Sequence, residues 1–370
     1  MSSTGLRRVL FSESSPNLGG QELQLLAQAA SLPMRGIETL ILCRHNSRLA
    51  TVAAARGIAT VAIPFRNSLH LPSIAGVRRV LQSFRPDALI CHSGHDANNG
   101  ALAARLVPDR PALLRARTYQ HDQPNAWTYN HLFDRTLVPS NEMRQRLLAN
   151  RAIDPQRIHL LYPGIDFAAI ARRSQEALPA AIIQALAALP CPLIVQAAML
   201  RPEKGHALML DVLATLKQRG QIIGFAIAGE GELKVQLQQQ VARLGLGQQV
   251  AFLGMVDNIP AVYTRAALVV VPSSYEPLGM SQIEALSLGI PVVVSDVGGI
   301  PETVRHQETG LITPSGDGAA WTAAIDRALT APEAMRALAQ AGSADVLRRF
   351  GLQINLDQLI AHIAACRSPK

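Results

Sequence analysis

Apolar and polar positions alternate with two different periods along the first half of the chain. Short runs rich in branched residues predict buried strands, and longer stretches with apolar positions three and four apart predict amphipathic helices. On this basis strands fall at 8–12, 39–43, 60–63 and 87–91, and helices at 21–32, 48–56 and 74–84. Strands that alternate with helices indicate a parallel sheet covered on both faces.

The same pattern restarts after residue 190. Strands are predicted at 193–197, 224–228, 250–253, 268–272 and 291–295, and helices at 206–219, 233–244, 259–265 and 280–288. We therefore predict an α/β protein with two doubly wound, Rossmann-like domains at 1–170 and 188–350, followed by a helix at 352–366. Such sheets bind ligands at the carboxyl ends of their strands, so we expect the active site in a cleft between two facing domains.

Composition narrows the class of protein. The chain has 370 residues, of which 48% are hydrophobic and 17% charged, as in globular rather than disordered proteins. Its four cysteines are scattered without a CxxC pair, which is typical of a reducing compartment. The sequence shows no signal-peptide core and no apolar run long enough to cross a bilayer, so we expect a cytoplasmic protein.

Positive charge is concentrated in the first half of the chain. Residues 1–176 contain 21 arginines, no lysine and 12 acidic residues, whereas residues 177–370 contain 14 basic and 15 acidic residues. The asymmetry indicates that the first half meets an anionic partner, such as a phosphorylated glycolipid, an anionic lipid surface or a nucleic acid. A solvated arginine-rich surface explains the charge equally well.

The loop and helix after the apolar run Leu-Val-Val-Val carry the most chemical information. Gly279 lets the backbone approach a ligand closely, and the free amides of Gly279, Met280 and Ser281 would form an anion site suited to a diphosphate. Glu276 could bind a sugar hydroxyl and Glu284 a ribose diol. The alternatives are an ordinary loop carboxylate and a capping box, Ser281-x-x-Glu284, and spacing alone favours the capping box.

Two further loops of the second half could face a phosphate. Arg201 and Lys204 follow a predicted strand, where they would neutralise a phosphate, although a solvated basic loop fits equally well. Gly229 lies in an Ala-Gly-Glu-Gly run, which fails as a dinucleotide fingerprint because Lys234 holds the third glycine position. The run does fit a tight turn from strand to helix.

The first half offers a second group of candidates. His92, His95 and Asp96 directly follow a predicted buried strand and could contact a sugar hydroxyl or relay a proton, although polar filler is the commoner role of a loop histidine. Gly19 and Gly20 precede the first helix and could admit a phosphate or an acceptor, or form a simple turn.

The sequence contains no Asp-x-Asp, no His-x-x-x-His and no cysteine cluster. A bound metal is therefore not needed to explain phosphate chemistry, and we expect neither a metal nor a cofactor.

These residues resemble a known family. The run Glu276–Ala285, with its two glutamates eight positions apart, resembles the E-x7-E motif of the retaining glycosyltransferases of family 4, which have the GT-B fold. Gly19-Gly20 resembles the first glycine loop of that family, and Tyr162–Asp166 resembles the turn before its linker. The runs at 228–231, 252–254 and 295–302 fall in the expected order, so the resemblance covers most of the chain.

The resemblance implies a role for each matched residue. Glu276 would contact the donor sugar at the reacting centre together with Lys204 on the diphosphate and His95 on the sugar. The implied donor-binding positions are Glu284 on the ribose, Gly279, Met280, Ser281, Arg201, Gly229, Gly19, Gly20 and a base pocket of Phe252, Leu253 and Gly254. His92, Asp96 and Arg117 are the acceptor-side candidates. Such enzymes are usually metal-independent, and their terminal helix often crosses back onto the first domain.

One position departs from the family pattern. The family usually has an arginine five residues before the lysine, and here that position is Met199. Arg201 is the nearest substitute, so donor affinity or full activity is in question.

The leading hypothesis is retaining transfer of a sugar from a nucleotide diphosphate, with a UDP-sugar favoured, to an anionic glycan or glycolipid of the bacterial envelope. The basic first half would hold that acceptor, with peripheral contact to the inner membrane. A sugar-nucleotide epimerase and a nucleotide-sugar-binding protein without catalysis are the alternatives. A nucleic-acid partner is disfavoured, because the basic half lacks interleaved aromatic residues.

Overall fold

The computed structural model describes residues 5–118 and 124–366. They divide into two compact units, one formed by the chain up to Ile165 and from Phe350 onward, the other by Asp166–Arg349. Each unit holds one parallel sheet flanked by helices, which confirms the predicted α/β class with two Rossmann-like domains. The second unit begins at Asp166 and so includes the helices before residue 188.

The strands are β1 (Arg8–Glu13), β2 (Glu38–Cys43), β3 (Thr60–Ala62), β4 (Ala88–Cys91), β5 (Ala112–Ala116), β6 (Arg135–Val138), β7 (Ile158–Leu160), β8 (Leu193–Ala197), β9 (Gly224–Ala228), β10 (Val250–Gly254), β11 (Leu268–Val271), β12 (Val292–Ser295) and β13 (Leu311–Thr313). Strands β4, β11 and β12 are buried along their whole length, because helices cover both faces of each sheet.

The α-helices are α1 (Gly20–Ser31), α2 (Arg48–Ala55), α3 (Leu71–Phe84), α4 (Gly94–Arg105), α5 (Asn141–Leu148), α6 (Phe167–Ser174), α7 (Ala180–Ala187), α8 (His206–Gln218), α9 (Lys234–Arg243), α10 (Ile259–Tyr263), α11 (Ser281–Ser287), α12 (Gly318–Thr330), α13 (Pro332–Arg349) and α14 (Leu352–Ala364). Short 3-10 turns lie at Leu32–Arg35, Pro155–Arg157, Pro202–Lys204 and Ile300–Glu302, and a π-helical turn at Thr128–Leu132. Within the described residues, none of these helices combines the length and apolar character needed to span a bilayer.

The strand order of both sheets reverses once. The first sheet runs β3-β2-β1-β4-β5-β6-β7, so its order reverses between β1 and β4. The second runs β10-β9-β8-β11-β12-β13 and reverses between β8 and β11. The loops that leave adjacent strands in opposite directions open a crevice at such a switch point, and ligands of doubly wound sheets bind there. The loops after β1, β4, β8 and β11 are therefore where sites are expected.

Helix α14 belongs to the first unit although it follows the second in sequence. Its apolar side chains, among them Leu356 and Ile360, pack with Leu25 of α1 in one core cluster. Its Asn355 accepts a hydrogen bond from Gln28 at 2.9 Å and donates one to the carbonyl of Tyr162 at 2.6 Å. The first unit is thus completed by the end of the chain.

Candidate functional site

The loops after β8 and β11 are tied together at the switch point of the second sheet. The amide of Ser274 donates a 2.8 Å hydrogen bond to the carbonyl of Glu203. Gly205, in the left-handed region at φ 70°, lies so close to β11 that a Cβ would stand 2.0 Å from the carbonyl oxygen of Pro272. The two loops therefore hold a fixed mutual position that only glycine permits.

This arrangement brings Lys204 and Glu276 together. Lys204 Nζ lies 2.5 Å from Glu276 Oε2, and the two side chains are only 21% and 17% exposed. An ion pair so far withdrawn from water interacts more strongly than a surface pair, but both charges remain within reach of a ligand. The sequence placed these residues on separate loops, and the structure assigns them to one site.

Two glycines on a third loop contact the backbone of Glu276. The amide of Gly299 donates a 3.1 Å hydrogen bond to the carbonyl of Glu276. A Cβ on Gly298, whose φ is 55°, would stand 1.8 Å from that same oxygen. The loop after β12 thus fixes the backbone position of Glu276. The sequence analysis did not assign this role to these glycines.

The backbone at Gly279 and Met280 leaves free donors beside this ion pair. Gly279 has a φ of 84°, and the amides of Gly279 and Met280 make no hydrogen bond to any other described residue. Helix α11 starts at Ser281, so its N-cap is Met280, and the Ser281 hydroxyl instead donates to the carbonyl of Ala197 at 2.9 Å. The capping-box interpretation of Ser281-x-x-Glu284 is therefore wrong, because serine lies one residue inside the helix.

Glu284 is half-buried on the first turn of α11, and its charge is only partly compensated. Burial raises the pKa of Glu284 to about 7, and Arg173 of α6 opposes the rise. Tyr263 is buried beside Glu284. Burial is the main cause of the raised pKa of the Tyr263 hydroxyl, and the charge of Glu284 raises it further. A carboxyl that needs partners for its charge is suited to bind a pair of hydroxyls, which supply two hydrogen bonds.

Met199, which replaces the arginine of the family pattern, lies at the surface of the loop after β8. Met199 is 49% exposed, and its carbonyl accepts the amide of Arg201 at 2.9 Å. Arg201 is exposed and makes no ion pair with a described residue. The structure therefore leaves room for a guanidinium at position 199, and no ion pair with a described residue holds Arg201.

The loops after β9 and β10 also contact each other through glycines. The amide of Gly229 donates to the carbonyl of Gly254 at 2.8 Å, and a Cβ on Gly229 would stand 2.0 Å from the carbonyl of Ala198. Phe252 and Leu253 are half-buried at the end of β10. The ends of β8, β9 and β10 therefore form one continuous edge, which includes the predicted base-binding segment.

The first unit has its own cavity at the switch point between β1 and β4. It measures about 430 Å³ and is lined by Gly20, Gln21, Glu22, His92, Ser93, Gly94, Arg117 and Thr118. The 12-residue helices α1 and α4 both begin at its wall, so their positive ends point to the same space. Predicted residues Gly20, His92 and Arg117 are brought together here.

His92 is held so that one nitrogen is left for a ligand. It is 4% exposed, and its Nδ1 donates to the carbonyl of Ser12 at 3.0 Å. Since that carbonyl only accepts, the neutral ring carries its proton on Nδ1 and offers the lone pair of Nε2. Burial lowers the pKa of His92, while Glu13 and Glu22 oppose the change.

Two buried carboxylates lie beneath this cavity. Asp96 is fully buried, with one oxygen accepting from the Ser14 hydroxyl and the amide of Ser93 and the other from the amide of His92. It therefore shapes the loop after β4, and as placed it has no surface for the acceptor contact that the sequence analysis expected. Glu13, also fully buried, accepts from Gln21 at 2.6 Å and from the Ser93 hydroxyl. The sequence analysis missed Glu13, because it is an isolated acid at the end of an apolar strand.

His95 lies on the first turn of α4 and is half-buried. Its Nδ1 lies 3.1 Å from the Ser68 hydroxyl on the loop after β3. Gly19, the N-cap of α1, donates its amide to Glu22 at 2.7 Å and so closes the first glycine loop. No three imidazole, thiol or carboxyl groups of the described residues lie close enough to hold a metal ion.

Two family models match consecutive parts of the chain. Residues 18–169 match Glycosyltransferase Family 4, and residues 186–345 match Glycosyl transferases group 1. The first match includes the cavity between β1 and β4, and the second includes Lys204, Glu276 and Glu284.

Curated relatives are similar over both long and short spans. A D-inositol 3-phosphate glycosyltransferase of Mycolicibacterium gilvum (strain PYR-GCK) is 27% identical over 355 residues, which cover 85% of this chain and 78% of that protein. An uncharacterized glycosyltransferase of Methanocaldococcus jannaschii is 36% identical over 132 residues, 35% of this chain and 33% of that one.

Solved structures share the fold. A glycosyltransferase from Rickettsia africae superposes with a TM-score of 0.85 at 17% identity, covering 98% of this chain and 99% of that one. The Anabaena protein HepE in complex with UDP superposes with a TM-score of 0.82 at 22% identity, covering 97% of this chain and all of that one. With both halves matched by glycosyltransferase models, the chain belongs to the family 4 glycosyltransferases of the GT-B fold.

Proposed function

We propose that the protein transfers a sugar from a nucleotide diphosphate to a hydroxyl of an anionic acceptor, with retention of configuration at the anomeric carbon. The observation that carries this proposal is the pairing of Lys204 with Glu276 at the switch point of the second sheet, beside the free amides of Gly279 and Met280. A cation and two backbone donors are suited to a diphosphate, and a carboxylate is suited to sugar hydroxyls. This set of groups calls for no metal.

A uridine nucleotide is the proposed donor. The Anabaena protein HepE, whose fold this chain shares, has been solved with UDP and with UDP-glucose. In this chain Glu284 would accept hydrogen bonds from the ribose diol, and the half-buried segment Phe252–Gly254 would line the base. Arg201, free of an ion pair, would turn toward the diphosphate where the family usually has an arginine at position 199.

The proposed reaction proceeds at one face of the sugar. The bond between the anomeric carbon and the diphosphate oxygen breaks, and Lys204 with the amides near Gly279 holds the negative charge that develops on the leaving group. The oxygen of the acceptor hydroxyl forms the new bond on the same face, and its proton passes to the departing phosphate oxygen. Glu276 would position the sugar through its hydroxyls and is not proposed as a nucleophile.

The acceptor would bind in the first unit, in the cavity between β1 and β4. The positive ends of α1 and α4, together with Arg117, favour an anionic group there, and His92 Nε2 would accept from a hydroxyl. His95 would contact the transferred sugar. The relative from Mycolicibacterium gilvum is named for an inositol phosphate acceptor, and a lipopolysaccharide outer core galactosyltransferase shares the fold at a TM-score of 0.72. We therefore propose a phosphorylated glycan or glycolipid of the cell envelope as the acceptor, with the protein in the cytoplasm and in peripheral contact with the inner membrane.

A nucleotide-sugar-binding protein without catalysis is the second candidate. The exposed Met199, in place of an arginine on the diphosphate, favours it. A thermal-shift panel of UDP, GDP, ADP and their sugars, followed by transfer assays on phosphorylated acceptors, separates the two. The enzyme is expected to be stabilised by one nucleotide and to form that nucleotide from its sugar derivative only when an acceptor is present. Stabilisation without turnover on any acceptor would favour the binding protein.

The matched variants for this panel are Lys204→Met and Lys217→Met. Lys217 lies at the end of α8, where its Nζ donates to the carbonyl of Gly245. Only Lys204→Met is expected to lose the nucleotide-induced stabilisation. Equal losses in both variants, or none in either, would contradict the proposed diphosphate site.

A further inference from the structure

A stretch of the first unit contains no acidic residue. Between Glu38 and Asp87 the chain carries seven arginines and not one aspartate or glutamate. The stretch comprises most of β2, then α2, β3 and α3, and β3 is the edge strand of its sheet. Helix α2 packs with α1 on one face of the sheet and α3 packs with α4 on the other. The whole β3 edge of the unit is therefore built from acid-free sequence.

The arginines of this edge are without carboxylate partners. Arg48, Arg56, Arg66, Arg78, Arg79 and Arg85 are exposed and Arg44 is half-buried, and none of the seven makes an ion pair with a described residue. Acidic groups on the neighbouring helices, Glu22 of α1 and Asp96 of α4, are buried. Because no acidic residue of the stretch offsets them, the exposed charges of Arg48 and Arg66 attract anionic surfaces.

Two leucines project from the same edge. Leu69 is 71% exposed on the loop between β3 and α3, and Leu71, the first residue of α3, is 75% exposed. Arg66 lies on that loop, and Arg44 and Arg48 lie on the neighbouring loop and helix start after β2. An exposed apolar pair between arginines matches an interface in which charge meets lipid headgroups and apolar side chains enter the acyl boundary.

The loop that leads to these leucines is held firmly. The amide of His70 donates to Asn99 at 3.0 Å, and Asn99 donates to the carbonyl of Asn67 at 2.7 Å. Phe65, fully buried at a φ of 40°, donates its amide to Ser73 and accepts from Arg44 at 2.7 Å. These bonds fix the backbone on both sides of Leu69 to α4 and α3. Backbone held in a rare conformation points to a function for the loop.

We infer that the β3 edge, defined by Arg48, Arg66, Leu69 and Leu71, binds the surface of an anionic lipid bilayer. Its loop contacts His95 through Ser68, so a bound membrane would lie next to the proposed acceptor site. The inference rests on the proposed function for its purpose, which is to present a lipid-linked acceptor, but the binding itself requires only this edge. A nucleic acid fits less well, because the stretch exposes no phenylalanine, tyrosine or tryptophan for stacking.

The test is cosedimentation of the full chain with vesicles of phosphatidylcholine, with and without phosphatidylglycerol. Binding is expected only with phosphatidylglycerol and should fall as salt is raised. Leu69→Ser with Leu71→Ser should weaken it about ten-fold. Arg48→Ser with Arg66→Ser should weaken it about 25-fold, at about five-fold for each charge lost.

Matched controls lie in the second unit. Ile222→Ser with Val235→Ser removes two exposed apolar side chains, and Arg243→Ser with Arg265→Ser removes two exposed arginines. Both controls should bind vesicles like the unchanged protein. Equal binding by all variants, or binding to vesicles without phosphatidylglycerol, would overturn the inference.

Two further readouts keep the result separate from the proposed function. A DNA oligonucleotide that binds as tightly as the vesicles and is lost with the same arginines would show a general polyanion surface and overturn the inference. Stabilisation by UDP should be the same in all four double variants. If UDP stabilises none of the four double variants while vesicle binding follows the expected order, the proposed function is wrong and the inferred membrane-binding surface is still supported.

Discussion

Lys204 and Glu276 form an ion pair, with Nζ 2.5 Å from Oε2. A diphosphate and Glu276 therefore compete for the same ammonium group. This competition couples the two binding events, because a sugar that binds Glu276 through its hydroxyls would free Lys204 for the leaving group. Binding of the sugar and binding of the diphosphate would then support each other.

Glu276→Gln is expected to separate binding from turnover. Without the carboxylate, Lys204 is free for the diphosphate, so UDP should bind a few-fold more tightly, whereas kcat with the UDP-sugar should fall about 100-fold or more. Calorimetry with UDP and single-turnover rates measure the two effects. Lys204→Met provides the contrast, since both affinity and rate should fall. A weaker affinity for UDP in Glu276→Gln would show that the pair does not compete in this way.

The glycine behind Glu276 should be irreplaceable for a steric reason. In Gly298→Ala the new Cβ would stand 1.8 Å from the carbonyl oxygen of Glu276, so the loop must shift, and activity should fall at least about ten-fold. Gly289→Ala is the matched control, because Gly289 also has a positive φ, 72°, but has nothing within 4 Å of its Cβ position. In thermal denaturation Gly289→Ala should lose about 1 kcal/mol of stability from backbone strain alone, and Gly298→Ala should lose more because the clash adds to that strain. Equal activities would contradict the proposed support of Glu276.

The raised pKa of Glu284 predicts how stability depends on pH. Burial raises this pKa to about 7 from 4.5, so the folded state holds the proton more strongly than the unfolded state. The stabilisation is then complete below about pH 4.5 and is lost as the pH rises through about 7. Glu284→Gln keeps the side chain neutral and should unfold at a higher temperature than the unchanged protein at pH 8. At pH 5 the two should unfold together, and a difference that persists there would point to packing.

The same carboxyl predicts a pH dependence of nucleotide binding. If Glu284 binds the ribose diol as a carboxylate, UDP should bind more tightly as the pH rises through about 7. The 2′-deoxy nucleotide lacks one of the two hydroxyls, so its affinity should rise less. Titrations with both nucleotides at several pH values measure the difference. Parallel curves for the two nucleotides would exclude Glu284 from the ribose site.

The sequence was sufficient for the fold and for most of the loops that surround the site. Strands β8 and β9 were predicted with the bounds that the structure gives, because strongly apolar runs between turn residues leave little ambiguity. Strands β5, β6, β7 and β13 were not predicted, since they are short and polar residues such as Arg115, Arg135 and Thr313 interrupt or end their apolar runs. Pairing with a neighbouring strand, which no local pattern contains, makes these segments strands.

The contacts that build the site could not be read from the sequence. The Lys204–Glu276 pair joins residues 72 positions apart, and the support of Glu276 by Gly298 depends on a third loop. Ser281-x-x-Glu284 has the spacing of a capping box, but the hydroxyl is taken by Ala197 of another strand. Tertiary hydrogen bonds therefore override the local motif at this position.

Met199→Arg tests the departure of this chain from its family. The side chain at 199 is 49% exposed on the loop that also carries Lys204, so an arginine fits there without displacing buried atoms. A second cation near the diphosphate should tighten UDP binding about ten-fold, which corresponds to about 1.4 kcal/mol. Calorimetry with UDP and with uridine separates the effect on the diphosphate from any effect on the base, because uridine should bind both proteins alike.

Arg201→Ser is the companion variant. If Arg201 has taken over the missing role, this substitution weakens UDP binding in the natural chain and has little effect when combined with Met199→Arg. Unchanged UDP affinity in Met199→Arg would mean that position 199 does not face the diphosphate, and the alignment of this loop with the family would then have to be revised.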